Sequence, residues 1–430
     1  MLIEFTVRNY RSIRDEQVLS FLPAGLSELT ETNTLDSNVN GVGRLLASAV
    51  IYGANAAGKT TVLDALLTMR RIVIRSADSD AFTEGLPVKP FRLDDSETMP
   101  TMFEAVFTHD GQRFQYGFEA TQERVIEEWL YAYPEKRSQR VFIRKFDPAT
   151  NDYSWQFGAF LKGAKATWRD ATRPNALFLS TAALLNSEQL SGLRDWFGDH
   201  ITPGSEESHN NTARVVQIPE IKKVALRIMK TADISIVDFE VKDAPPNEHP
   251  VMRAIRQGDP EVAKILDARK SFDVHALHRT SEGKEVWFDL SEESEGTRVL
   301  FSQIGPMVKT MGLGGILVYD ELNNNLHPLL ARAVVKMFHS PQWNPNGAQL
   351  LFTTHATSLL STEILRRDQI WFAEKTQDGV TKIYPMTDFE PRKDASLAKH
   401  YLQGRFGAIP YISAEPWDTA IDEMSEEQDG

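Results

Sequence analysis

Hydrophobic and polar positions along the 430-residue chain change period several times, and each change predicts an element. Leu2 to Val7 and Val18 to Phe21 alternate as short strands around the polar turn Asn9-Tyr10-Arg11-Ser12, followed by a loop from Pro23 to Arg44. Leu45 to Tyr52 is almost continuously apolar, as a strand buried on both faces of a parallel sheet must be. From Thr60 the period becomes helical through Val62, Leu63, Leu66, Leu67 and Ile74, and Ser76 to Asp80 ends it. Residues 88 to 160 are β-rich, with aromatic alternation on both sides of Asp110-Gly111, a hairpin turn signal. Helical patterns dominate from 174 to 230, including Ile218 to Lys230 with an apolar face of Ile221, Val224, Ala225 and Ile228. A polar, Pro-containing helical insert is expected over 243 to 273, and a strand around Val286 to Leu290. The rest reads as helix, strand, helix, strand, without heptads or a repeat.

Composition narrows the chemistry. There is no cysteine, which excludes disulfides, thiolate catalysis and Cys-ligated metal, and a cytoplasmic address is the simplest expectation. Met1 to Arg8 reads as a strand rather than a leader, and the longest nearly apolar runs are eight residues, against the roughly 20 that span a bilayer. No membrane crossing is expected. The net charge is −13, but Glu415 to Asp429 hold seven acids and no base, so residues 1–414 carry only −6. The total therefore does not exclude a local nucleic-acid surface. Two basic groups qualify, Lys222, Lys223, Arg227 and Lys230 on one helix and Lys136, Arg137, Arg140, Arg144 and Lys145 in the β-rich part, although solvated lysines are the default.

Gly53-Ala54-Asn55-Ala56-Ala57-Gly58-Lys59-Thr60, with Thr61 next, matches G-x-x-x-x-G-K-[ST] between a buried strand and a helix. Such a loop curls its N–H groups around phosphates, Lys59 reaches the β- and γ-phosphates, and the Thr60 hydroxyl ligates Mg²⁺. Ile316 to Tyr319 is an apolar strand that ends in Asp320-Glu321, placing one carboxylate to hold Mg²⁺ and the other to act as general base. Leu350 to Thr354 is a third apolar strand, and its His355 follows Asp320 by 35 residues. Ser294-Glu295-Gly296 opens an apolar helix 26 residues before Asp320. His275 and His278 have metal-like spacing, but no acidic pattern closes a site around them.

Phosphate loop, long insert, Ser-x-Gly helix start, Asp-Glu strand and His strand is the motif order of the ABC-type ATPases, and the chain resembles their soluble branch with RecF, SMC heads and the OLD nucleases. The resemblance implies an α/β ABC-ATPase head: a mixed-sheet core with the P-loop strand–helix unit, an antiparallel β subdomain and a helical insert. It implies one domain over 1–430, with an N-terminal lobe at 1–87, the β-rich part at 88–170, the insert region at 171–285, the signature, Asp-Glu and switch-histidine lobe at 286–412, and an acidic tail at 413–430. It further implies that Ser294 and Gly296 face the γ-phosphate of ATP on a partner subunit, that His355 contacts a γ-phosphate in the site, and that Asn9 and Arg11 lie near the nucleotide. Glu295 replaces the commoner glycine. Asn325-Leu326-His327-Pro328 after the Asp-Glu pair fits the same group, and Tyr401 to Pro410 resembles the closing motif of stand-alone AbiL/RloA-type phage-defence ATPases.

The expectation is a Mg²⁺-dependent ATPase with Lys59, Glu321 and His355 as its catalytic set, dimerising around ATP and controlling a separate effector such as a nuclease. No heptads build an SMC-like arm, and the 75 residues after His355 are too few for a fused nuclease. A RecF-like DNA-binding repair ATPase and a scaffold that holds ATP without hydrolysing it are the alternatives.

Overall fold

The computed structural model describes residues 1–134, 137–204, 208–232, 234–244, 272–389 and 396–410. Its first strands are β1 (Leu2–Arg8), β2 (Gln17–Ser20), β3 (Thr34–Asp36), β4 (Arg44–Leu46) and β5 (Ser48–Gly53). An antiparallel run follows: β6 (Thr101–His109), β7 (Gln112–Ala120), β8 (Val125–Tyr133), β9 (Gln139–Asp147) and β10 (Asp152–Phe157). The others are β11 (Ile201–Gly204), β12 (Asp238–Asp243), β13 (Phe272–Arg279), β14 (Glu285–Asp289), β15 (Ile316–Tyr319), β16 (Gln349–Thr353), β17 (Ile370–Lys375) and β18 (Thr381–Pro385).

The fold is mixed α/β. One sheet, in the order β10-β9-β8-β7-β6-β1-β2, is antiparallel throughout. The N-terminal strands complete it, because β1 pairs with β6, so the β-rich segment shares its sheet with the first residues of the chain. The second sheet, β11-β15-β16-β5-β17-β18, is parallel except for β18. Its central strand β5 alternates between two cores: Ala49 and Ile51 pack with the helix Lys59–Arg75 and the antiparallel sheet, Val50 and Tyr52 with the helices Glu295–Leu313 and Pro328–Phe338. Burial on both faces explains its unbroken apolar run.

Local chemistry accounts for most boundaries. Asp110 and Gly111 both take positive φ (46° and 70°), as the tight turn between β6 and β7 requires. Gly314, left-handed at φ 65°, ends the helix Glu295–Leu313. The run Leu45 to Tyr52 divides into β4 and β5, and Ala47 between them donates to Asn33 and accepts from Leu350. Several strands escape the periodicity reading, β3, β12, β17 and β18 as well as β11 and β13. β11 contains Pro203 and Gly204 yet pairs with β15, and β13 lies beside the expected insert, whose residues 245–271 fall outside the described residues. Lys136 and the acidic tail also lie outside them.

Candidate nucleotide site

The parallel sheet brings three chain segments to its carboxyl edge, the place where open α/β sheets bind ligands. β5 delivers the phosphate loop. Gly53 is required there because a Cβ would stand 2.4 Å from the Ala373 carbonyl oxygen on β17. Gly58 turns at φ 101° into the helix Lys59–Arg75, whose first N–H groups and dipole suit an anion. The Lys59 ammonium folds back onto the carbonyls of Gly53 (3.0 Å) and Ala54 (2.9 Å). Burial lowers its pKa from the ordinary lysine value, opposed by Glu321 and Asp320.

β15 and β16 deliver the acids and the histidine. Asp320 Oδ1 accepts from the Thr353 hydroxyl at 2.5 Å, and the same hydroxyl accepts from the Glu321 N–H at 2.7 Å. Glu321 is left-handed at φ 53°, which carries its side chain out of the strand course. His355 Nε2 stands 3.9 Å from Glu321 Oε1, and the His355 N–H donates to Asn323 Oδ1 at 3.4 Å. Partial burial and then Lys59 lower the His355 pKa, against Glu321 and Asp320. A cavity of about 470 Å³ unites Asn55 to Thr61 with Glu321 and His355.

No cluster of three His, Asp or Glu side chains able to hold a metal exists among the described residues. Mg²⁺ bound together with a phosphate ligand keeps its waters and needs only one or two protein groups, a requirement that the donor chemistry of a threonine hydroxyl such as Thr60 and a carboxylate such as Asp320 would fit.

Ser294 and Gly296 stand at the start of the helix Glu295–Leu313. Ser294 caps the helix Glu295–Leu313 by accepting from the Thr297 N–H at 3.2 Å, and a Cβ on Gly296 would stand 3.1 Å from the Asn325 carbonyl. Neither residue lines the cavity that holds Lys59.

A family model described as "AAA domain, putative AbiEii toxin, Type IV TA system" matches residues 48–361. The chain belongs to this AAA ATPase family. No curated protein matches its sequence. Among solved structures, an SMC head bound to the C-winged helix domain of ScpA is similar over 89% of this chain and 97% of its own, at 10% identity and TM-score 0.40. The SMC head domain from Thermotoga maritima covers 89% and 98% at 12% identity and TM-score 0.38. The Pyrococcus furiosus Smc head with an extended coiled coil, bound to the C-terminal domain of ScpA, covers 89% and 96% at 10% identity and TM-score 0.39.

In this AAA family member several side chains differ in place from expectation. Asn9 is buried, donating to the Ser96 and Met99 carbonyls (2.8 Å each) and accepting from the Phe91 N–H, while Arg11 pairs with Asp64 at 3.0 Å. Ser12 is the residue of that turn that lines the cavity. Arg144 is fully buried and 3.8 Å from buried Glu128, which removes it from the basic surface cluster. Lys145 pairs with Glu127 (2.8 Å) and Lys222 with Asp238 (2.9 Å), and Arg227 stacks over Trp343. His278 bonds Glu293 at 2.6 Å. Tyr401 and Phe406 of the closing segment stack on Phe372, and Tyr401 also meets Tyr52, so this segment packs behind the P-loop strand.

Sequence reading missed Lys375, Thr381 and the bonding of Thr353. Lys375 ends β17, the parallel neighbour of β5, and the rule of carboxyl edges was the available signal. Thr381, buried on β18, backs the loop: its N–H donates to the Ser12 carbonyl (2.7 Å) and its hydroxyl to that of Ala57 (2.9 Å). Among the described residues no helix is long and apolar enough to cross a membrane.

Proposed function

We propose that the protein is a Mg²⁺-dependent, ATP-hydrolysing switch of ABC type, two copies of which close around two ATP molecules. The observation that carries this reading is the division of the motifs: Lys59, Thr60, Glu321 and His355 share one cavity, while Ser294 and Gly296 stand outside it. A second copy that offers its Ser-x-Gly helix start completes the site with N–H groups and a helix dipole aimed at the γ-phosphate.

The residues take the following roles. Lys59 exchanges the Gly53 and Ala54 carbonyls for phosphate oxygens. Thr60 and Asp320 would hold Mg²⁺, which when bound would neutralise phosphate charge. Glu321 takes a proton from the water that attacks the γ-phosphorus as the bond to ADP breaks, and His355 donates a ring N–H to a γ-phosphate oxygen. Loss of that phosphate removes the contacts joining the two copies, so hydrolysis opens the pair.

We further propose that the open and closed states hold and release a separately encoded toxic effector such as a nuclease, in bacterial defence against phage. Membership of a family described by a toxin of a type IV toxin–antitoxin system supports an effector-linked role, and the burial of Arg144 counts against a DNA grip through the β-rich part. A cytoplasmic location agrees with the absence of cysteine. Glu321→Gln is the test. It should slow ATP turnover about 10²- to 10⁴-fold while ATP-bound dimers accumulate in light scattering. Unchanged turnover would refute the assignment of Glu321 and favour a scaffold that does not hydrolyse ATP.

A further inference from the structure

We infer that Thr353 is a positioning residue for ATP hydrolysis: one hydroxyl fixes both Asp320 and Glu321. The inference rests on the reading of this cavity as an ATP-hydrolysing site. Thr353 ends β16, between the P-loop strand β5 and the acid-bearing strand β15. The β15–β16 ladder stops at Tyr319 opposite Phe352, and Thr353 then bonds three consecutive residues of the departing chain. Its hydroxyl donates to Asp320 Oδ1 (2.5 Å) and accepts from the Glu321 N–H (2.7 Å), and its carbonyl accepts from the Leu322 N–H (3.0 Å).

Both hydroxyl bonds matter for chemistry. A serine or threonine oxygen can donate once and still accept, a combination that no apolar side chain of the same shape provides. The bond to Oδ1 fixes the rotation of the Asp320 carboxylate and leaves Oδ2 as a further acceptor. The bond from the N–H holds Glu321 in a left-handed conformation, φ 53°, that non-glycine residues seldom adopt. Thr353 is completely buried, so water does not replace the hydroxyl cheaply. It acts on the reaction through the two acids rather than by touching substrate.

Thr353→Val keeps the shape and removes the hydroxyl; Thr353→Ser keeps the hydroxyl. In the full-length protein, Thr353→Val should lower kcat on the order of 10²-fold, as a misplacement near 1 Å does, with KM for ATP changed by less than about threefold. Binding of a fluorescent ATP analogue in EDTA should be unchanged, while the Mg²⁺ concentration that half-saturates metal-dependent analogue binding rises severalfold. Thr353→Ser should restore both. Equal damage from Ser and Val would overturn the inference, because the methyl would then be what matters, and so would an unaltered Thr353→Val. If Thr353→Val fails to bind the analogue, Thr353→Ala decides in its place, and loss of analogue binding there too would assign Thr353 to folding alone. A wild-type protein without ATPase activity would strike at the hydrolase reading instead, and the Mg²⁺ titration would still judge Thr353.

Discussion

Gly58→Ala tests how tightly the C-terminal strands define the phosphate loop. A Cβ at Gly58 would stand 2.1 Å from Thr381 Oγ1, 2.6 Å from its Cγ2 and 2.9 Å from its Cβ. Thr381 is fully buried, its hydroxyl bonded to Ser12 Oγ (2.8 Å) and the Ala57 carbonyl (2.9 Å), so it does not swing aside freely. The φ of 101° adds about 1–2 kcal/mol for any side chain, and overpacking adds about 1–3 kcal/mol. If this strain of about 2–5 kcal/mol falls on the loop conformer that binds phosphate, affinity drops roughly 30- to 4,000-fold. A titration with a fluorescent ATP analogue reads the loss directly. Thr381→Ala removes the two nearest atoms, so the double variant should recover part of the overpacking cost, about 1–2 kcal/mol of binding, while the contact with the residue's Cβ at 2.9 Å and the backbone cost remain. Gly58→Ala binding within threefold of wild type, or a double variant no better than the single one, would refute this reasoning.

Arg144→Ala should destabilise the protein by about 3–5 kcal/mol in urea unfolding, because it strands the buried Glu128 carboxylate, which burial already pushes above its usual range. A DNA-contacting arginine would instead change salt-dependent DNA binding at unaltered stability. His339 is buried against Ser48 Oγ at 2.8 Å, and burial lowers its pKa to about 3. Between about pH 6.5 and 3 the unfolded chain therefore binds a proton that the folded chain refuses, so its contribution is complete above pH 6.5 and fades as pH falls, by about 2 kcal/mol at pH 5. His339→Gln should flatten that part of the stability–pH curve, and a slope equal to wild type would contradict the assignment.

The nucleotide motifs were readable because each consists of neighbours in sequence at the end of a strand whose two-sided burial leaves an apolar run. Lys59, Asp320 and His355 need only parallel neighbouring strands to meet, and β15, β16 and β5 are such neighbours. What escaped depends on partners far along the chain. Ser12 reaches Thr381, and Thr353 reaches Asp320, through pairings that no local period records. Arg144 looks like a surface charge in sequence because β9 alternates, yet its inward face meets Glu128 and the carbonyls of Arg173 and Ala176. Asn9 has the composition of a ligand contact, but it spends its amide on the loop carbonyls of Ser96 and Met99.

Mixing two inactive chains tests the composite site most directly. Lys59→Ala disables a chain's phosphate loop and leaves its Ser-x-Gly helix start intact; Gly296→Asp does the converse, adding a side chain beside the Asn325 carbonyl. If each site takes its loop from one copy and its helix start from the other, half of randomly mixed dimers contain one intact site of two, and ATPase activity returns to about a quarter of wild type. A mixture as inactive as its separate components would contradict a site shared between two copies.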